Sequence, residues 1–260
     1  MRTISPLECD VRHEVYLAAT LDPFSVGRLT GLPDLAGARC LELGAGGSAV
    51  PVWLADRVGP MGEVVAAGGD PRRVAAHPRI RTLAHDARVD PVPTGPFRLI
   101  RARLLLMGLP NREVLLRRLA DALPAGGTLV VEDWYLWLDD AILAAPSARD
   151  ARLFARYRRL LIEEILPEHG VDPAWAARLH AAMRAAGLTT VDTTIHAPVW
   201  TAGDPGALLV TVDLARFRSS FLDAGLTPGE LDRLHQLVAD PDSGLVLRGH
   251  LLFSTMGHKP

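Results

Sequence analysis

Cysteine is almost absent: only Cys9 and Cys40 occur in 260 residues, and their separation offers neither a zinc spacing nor a disulfide framework. A reducing cytoplasm is therefore the expected compartment. Lysine is scarcer still, with Lys259 alone against abundant arginine, a usage expected of a GC-rich genome. No basic run is interleaved with aromatics, which make up 5% of the chain, and the formal charge is 28 minus 30, or −2. Neither nucleic acid nor an anionic membrane surface is thus an expected partner. The first twenty residues lack a signal-peptide apolar core, and no apolar run is long enough to span a bilayer. No cluster of His, Cys, Asp and Glu has metal-ligand spacing, so no metal is assigned.

What is present is apolar and strongly patterned. A hydrophobic content of 48% supports a substantial core, either one large α/β domain or a domain with a small lid. The stretch from Ala38 to Asp70 organises the chain. Its apolar run Arg39-Cys40-Leu41-Glu42-Leu43 meets the loop Gly44-Ala45-Gly46-Gly47-Ser48, followed by the helix-compatible Val50, Val52, Trp53 and Leu54. Strand, tight turn and helix in that order are expected to hold a nucleotide-like cofactor. Glycine backbone approaches a ligand closely, and the helix N-terminus presents unpaired N–H groups.

The periodicity predicts a helix over residues 8–30 and strands over 62–67, 80–84, 97–102 and 128–133. Between these, a short helix begins at Asp70-Pro71 and a longer one covers 110–123. The strands are continuous apolar runs, the signature of a parallel sheet covered on both faces. Further helices are expected over 149–165, 173–186, 208–224 and 228–239, with single strands over 189–200 and 246–256. The whole chain, 1–260, is read as one domain: an N-terminal helical lid (1–35), a cofactor-binding core (36–134), a helical insertion (135–188) and C-terminal strands and helices (189–260). Ligands in such sheets bind beyond the carboxyl ends of the strands. That rule brings forward Gly44–Ser48, Gly68–Asp70, His85-Asp86, Arg101–Arg103 and Glu132–Trp134.

Glu42-Leu43-Gly44-Ala45-Gly46-Gly47, Asp86, the segment Phe97–Pro110 and the turn Leu123-Pro124-Ala125-Gly126-Gly127 together resemble the class I S-adenosylmethionine-dependent methyltransferases. The similarity is closest to actinobacterial small-molecule enzymes and runs from about His13 to Pro260. The resemblance implies a Rossmann-like, seven-stranded, mostly parallel sheet with an antiparallel last strand and helical lid insertions. It implies methyl transfer from S-adenosylmethionine to a secondary-metabolite acceptor, leaving S-adenosylhomocysteine. It also implies that the glycine loop (Gly44, Ala45, Gly46) wraps the donor, that Glu42 supports its amino group and that Asp86, with His85 and Ala87, faces the adenine amine. Arg103 is a candidate partner for the donor carboxylate, and the Tyr16 hydroxyl is another. A hydroxyl acceptor needs a base, for which His13, His196 and Asp133 are candidates. Trp134, Tyr135 and Trp137 could wall the acceptor pocket. The expected partner is a small molecule, with a homodimer left open.

The chain departs from the family pattern where it matters. Ser48 replaces a third glycine, Gly68 stands where a carboxylate usually accepts the ribose hydroxyls, and Asp70 falls two residues later. Phe97-Arg98 replaces Phe-Asp, and Gly108 a common histidine. If the ribose carboxylate is simply missing, Gly68→Asp should tighten donor binding. These departures keep open a methyltransferase fold that no longer methylates. A third reading is a nicotinamide oxidoreductase, because Gly44 to Ala49 also fits G-x-G-x-x-A and Arg72-Arg73 could hold a 2′-phosphate.

Overall fold

A computed structural model describes residues 6–136 and 141–260; Trp137 lies outside the described residues. Among the described residues ten strands are formed in chain order: β1 (Arg39–Leu43), β2 (Glu63–Gly68), β3 (Ile80–Ala84), β4 (Leu99–Arg103), β5 (Thr128–Tyr135), β6 (Ile142–Ala144), β7 (Thr189–His196), β8 (Val199–Thr201), β9 (Val246–Arg248) and β10 (Leu251–His258). Two compact units divide the chain, one drawn from Asp22–Tyr135, Ala174–His196 and Leu252–Pro260, the other from Met1–Leu21, Leu136–Pro173 and Ala197–Leu251.

The first of these carries a seven-stranded sheet in the order β3-β2-β1-β4-β5-β10-β7. Strands β1 to β5 pair in parallel, whereas β10 runs antiparallel to β7. This is the Rossmann-like methyltransferase arrangement that the motifs imply. The buried runs Cys40-Leu41-Glu42-Leu43 and Val64-Val65-Ala66-Ala67 are apolar apart from Glu42, so they fold as inner strands. Between them, helix α2 (Val50–Val58) lays Val50, Leu54, Ala55 and Val58 against Cys40, Val64, Leu99 and Val130. Truncating one of these, as in Leu54→Ala, costs about 2–5 kcal/mol.

The second unit builds a three-stranded sheet, β6-β9-β8, with antiparallel pairs, beside the helices Ala148–Arg159, Pro205–Arg216 and Pro228–Ala239. This sheet corrects the expected single strands over 189–200 and 246–256. Each divides in two: β7 and β10 join the large sheet, whereas β8 and β9 join the small one. The breaks fall at Pro198, which has no N–H for a ladder, and at Gly249, whose N–H instead bonds the Pro198 carbonyl at 2.8 Å. The expected helix 208–224 likewise divides at Phe217, and 149–165 ends in a π-helical stretch from Leu160 to Ile165. Among the described residues no helix is long and apolar enough to cross a membrane.

Candidate cofactor and active site

Strand order reverses between β1 and β4, the position where open α/β sheets bind ligands. There the register places Glu42 opposite Arg101, and one residue pair further along places Arg103 opposite Glu132. Side chains two apart on a strand share a face, so Arg101 and Arg103 point together toward both glutamates. Arg101 bonds Glu42 through Nη1 and Glu132 through Nη2, the latter at 2.6 Å. Helix α1 (Pro6–Thr30) supplies Ser25 and Asp22 to the same group. The Ser25 hydroxyl donates to Glu132 at 2.7 Å and accepts from both arginines, at 3.0 and 3.1 Å. Asp22 pairs with Arg103 at 2.7 Å.

Three carboxylates thus meet two guanidiniums in a site where Arg101 and Glu132 are fully buried. Burial raises the Glu42 carboxyl above its usual range, against the pull of Arg101 and Arg103. For Glu132 burial also pushes upward, but Arg101, Ser25 and Arg103 together hold it lower than usual. The pattern leaves Glu42 as the acid whose charge is least compensated. Its Oε2, like Oε1 of Glu132, is buried with no hydrogen-bond partner among the described residues.

Beyond the strand tips lies a cavity of about 620 Å³, within the range of small-molecule sites. Gly44, Gly68, His85, Asp86 and Leu105 line it. Gly44 turns with φ of +79°, and its N–H and that of Ala45 both donate to the Ala67 carbonyl, at 2.8 and 3.0 Å. The glycine loop is therefore drawn against the end of β2, and a Cβ on Gly68 would stand 2.2 Å from the Ala45 carbonyl oxygen. The reasoning behind Gly68→Asp is overturned: glycine is required by the loop, and an aspartate cannot be added without displacing it.

The Ser48 hydroxyl donates to Asp22 at 3.0 Å and accepts the Val50 N–H at 3.1 Å, while the Ala49 N–H donates to Asp22 at 2.8 Å. Asp70 is held by the Arg72 N–H and guanidinium, which lower its carboxyl to about 2, and Arg73 approaches it at 3.8 Å. Both arginines that a 2′-phosphate would need are thus turned onto Asp70. Asp86 is bound in the same manner by Arg88, again lowered to about 2, yet still lines the cavity. The His85 Nε2–H donates to the Pro91 carbonyl at 3.1 Å, which leaves Nδ1 as a buried acceptor without a partner among the described residues. Ala87 is buried beside it along the same cavity.

Asp133 sits on the opposite face of β5 from Glu132, as alternation dictates. Both its oxygens are buried, and the backbone of Met107 and Leu105 and the Trp175 indole draw its carboxyl downward against that burial. Burial pushes this carboxyl up to about 8. His196 stacks on Phe24 at 4.7 Å, and Tyr135 meets Phe253 edge-on at 5.7 Å. His13 and Tyr16 belong to the other unit. Burial, then the charge of Arg216, pushes His13 down to about 4, so it is neutral at physiological pH. In that unit Tyr157 donates to Asp213 at 2.9 Å, and burial raises Asp213 to about 6. No group of three or more His, Cys, Asp and Glu side chains among the described residues could hold a metal ion.

The sequence pattern that defines the methyltransferase-domain family matches residues 15–193, more than half of the chain. This protein belongs to the methyltransferase-domain family. The sheet order above is that of the class I methyltransferase fold. No curated protein matches the chain. Its structure is similar to that of a Bacillus halodurans C-125 protein assigned as a methyltransferase, with 14% identity, 91% of this chain and 98% of that one covered, and a TM-score of 0.54. The YcgJ protein of Bacillus subtilis gives 14% identity, coverage of 90% and 97%, and a TM-score of 0.53. A phosphoethanolamine N-methyltransferase of Haemonchus contortus, in complex with phosphomonomethylethanolamine and S-adenosylhomocysteine, gives 13% identity, coverage of 91% and 52%, and a TM-score of 0.51.

Sequence reasoning reached Glu42, Arg103, the cavity-lining glycines and the His85-Asp86 pair. It missed Asp22, Ser25 and the central role of Arg101. The signal was there in two spacings: Asp22 and Ser25 lie three apart on one helix face, and Arg101 and Arg103 two apart on one strand face.

Proposed function

We propose that this methyltransferase acts on a small-molecule, natural-product acceptor and releases S-adenosylhomocysteine. The observation that carries the assignment of the donor site is the buried Glu42 oxygen without a partner, two residues before the Gly44 that lines the cavity. An ionised Glu42 accepts the donor's ammonium group there, and Arg103 with the N-terminus of α2 takes its carboxylate. Gly44 and Gly68 line the cavity that would take the adenosine. His85 Nδ1 and the Asp86 carboxylate are acceptors for the adenine amine.

The bound donor supplies an activated methyl group on a positively charged sulfur. An acceptor lone pair would take that carbon, with the electrons of the broken carbon–sulfur bond left on sulfur. Proximity and exclusion of water supply much of the rate. For a hydroxyl acceptor a proton must leave. Asp133, protonated until about pH 8, is not the group that takes it at physiological pH. A small-molecule acceptor is supported by the phosphomonomethylethanolamine held by the Haemonchus contortus enzyme.

A second reading, binding without methylation, is favoured by one observation: neither Gly68 nor Asp70 offers a free carboxylate to the ribose. Calorimetric titration with S-adenosylmethionine, S-adenosylhomocysteine and NADPH, followed by mass spectrometry of a panel of phenols, amines and carboxylic acids incubated with donor, separates the readings. Binding of both adenosyl ligands and a gain of one methyl group by a panel member supports methyl transfer. Binding without any methylated product favours the second reading, and heat with NADPH alone contradicts both.

A further inference from the structure

The carboxylate receptor at the end of β4 is already filled by a residue of the chain itself. Asp22 Oδ1 takes a hydrogen bond from the Arg103 guanidinium at 2.7 Å and one from the Ser48 hydroxyl at 3.0 Å, and Oδ2 takes the Ala49 N–H at 2.8 Å. Ala49 is the residue from which α2 starts, so this amide lies at the positive end of a nine-residue helix. Guanidinium, hydroxyl and helix-terminal amide together satisfy both oxygens of one carboxylate, and like-charge repulsion prevents a second from sharing them. Ser48, the departure from the glycine pattern, supplies one of these donors.

We propose that Asp22 is a specificity-determining residue that competes with the donor's α-carboxylate for this receptor, so that the amino-acid tail binds in exchange for the Asp22 side chain. The proposal rests on the donor assignment above. Charge favours the exchange. With Asp22 seated, the acids Asp22, Glu42 and Glu132 outnumber the bases Arg101 and Arg103 by one. With Asp22 rotated outward, Glu42 and Glu132 match the two arginines. The Asp22 side chain reaches solvent, at 13% exposed, unlike the fully buried Glu132. Asp22 thereby sets how much the donor carboxylate contributes to affinity, and weakens ligands that carry it relative to ligands that do not.

The test compares S-adenosylhomocysteine with S-adenosyl-3-thiopropylamine, which keeps the adenosine, sulfur and amine but lacks the carboxylate. Dissociation constants are measured by calorimetry for the wild type, Asp22→Ala and Asp22→Asn. Exchange predicts that both variants bind S-adenosylhomocysteine about tenfold more tightly, while the thiopropylamine constant moves by less than about twofold. The ratio of the two constants is the readout because partial unfolding lowers the active fraction for both ligands alike. An unchanged ratio, or one that moves toward the thiopropylamine, overturns the proposal and makes Asp22 a structural tie. If neither ligand binds any form, the donor assignment itself fails, and the exchange with it.

Discussion

Glu42 and Arg101 face each other across β1 and β4 at the reversal of strand order, and Arg101 reaches from that pair to Glu132 on the next strand. One fully buried guanidinium therefore joins three adjacent strands. Its loss removes the positive charge from two buried carboxylates at once.

Arg101→Met should lower the unfolding free energy by about 3–5 kcal/mol, because breaking a buried pair strands its partners. Adding Glu132→Gln to that variant should restore part of the loss. Urea unfolding of the single and double variants checks this, and a double variant less stable than Arg101→Met would mean that Glu132 is held by Ser25 and not by the arginine.

Asp133 gives a pH-dependent stability of defined sign. Its carboxyl is near 3.8 when unfolded and about 8 when buried, so the folded state holds a proton that the unfolded state releases. Stability from this group is fully present below about pH 4 and declines as pH rises to about 8. Asp133→Asn should match the wild type near pH 4 and melt several degrees higher at pH 8.5. Thermal melts of the pair at these pH values test it; a constant difference across the range would contradict the burial argument.

Gly68→Ala should destabilise the protein by about 1–3 kcal/mol, since its Cβ meets the Ala45 carbonyl oxygen and the loop must shift. Weaker binding of S-adenosylhomocysteine should follow. A variant as stable as the wild type would show that the loop yields freely.

Ser48→Ala removes the acceptor for the Val50 N–H and a donor to Asp22. A loss of about 0.5–1.5 kcal/mol is expected, the usual net worth of a hydrogen bond, measurable by denaturant titration. Ser48→Gly should cost a similar amount, which would distinguish a hydrogen-bonding role from a steric one.

The large sheet was legible because each inner strand is an apolar run bounded by Gly or Pro, as with Leu41 to Leu43 before Gly44 and Thr128 after Gly127. The small sheet was not. Val199–Thr201 and Val246–Arg248 continue apolar runs that already belong to β7 and β10, and only Pro198 and Gly249 mark where the chain changes sheets. At the site, motif spacing located Glu42, the glycines and His85-Asp86, all local features of single loops. Asp22 and Ser25 act through contacts with strands up to 107 residues away, and Gly68 through a backbone approach that no local pattern encodes.

The central claim is that Glu42 binds the donor's ammonium group from within the strand-tip network. Titrating wild type and Glu42→Gln with S-adenosylhomocysteine tests it most directly. Loss of a charge-assisted hydrogen bond predicts a dissociation constant roughly 10–100-fold weaker for Glu42→Gln, in a variant that keeps its fold. Equal affinities for the two proteins would contradict the account.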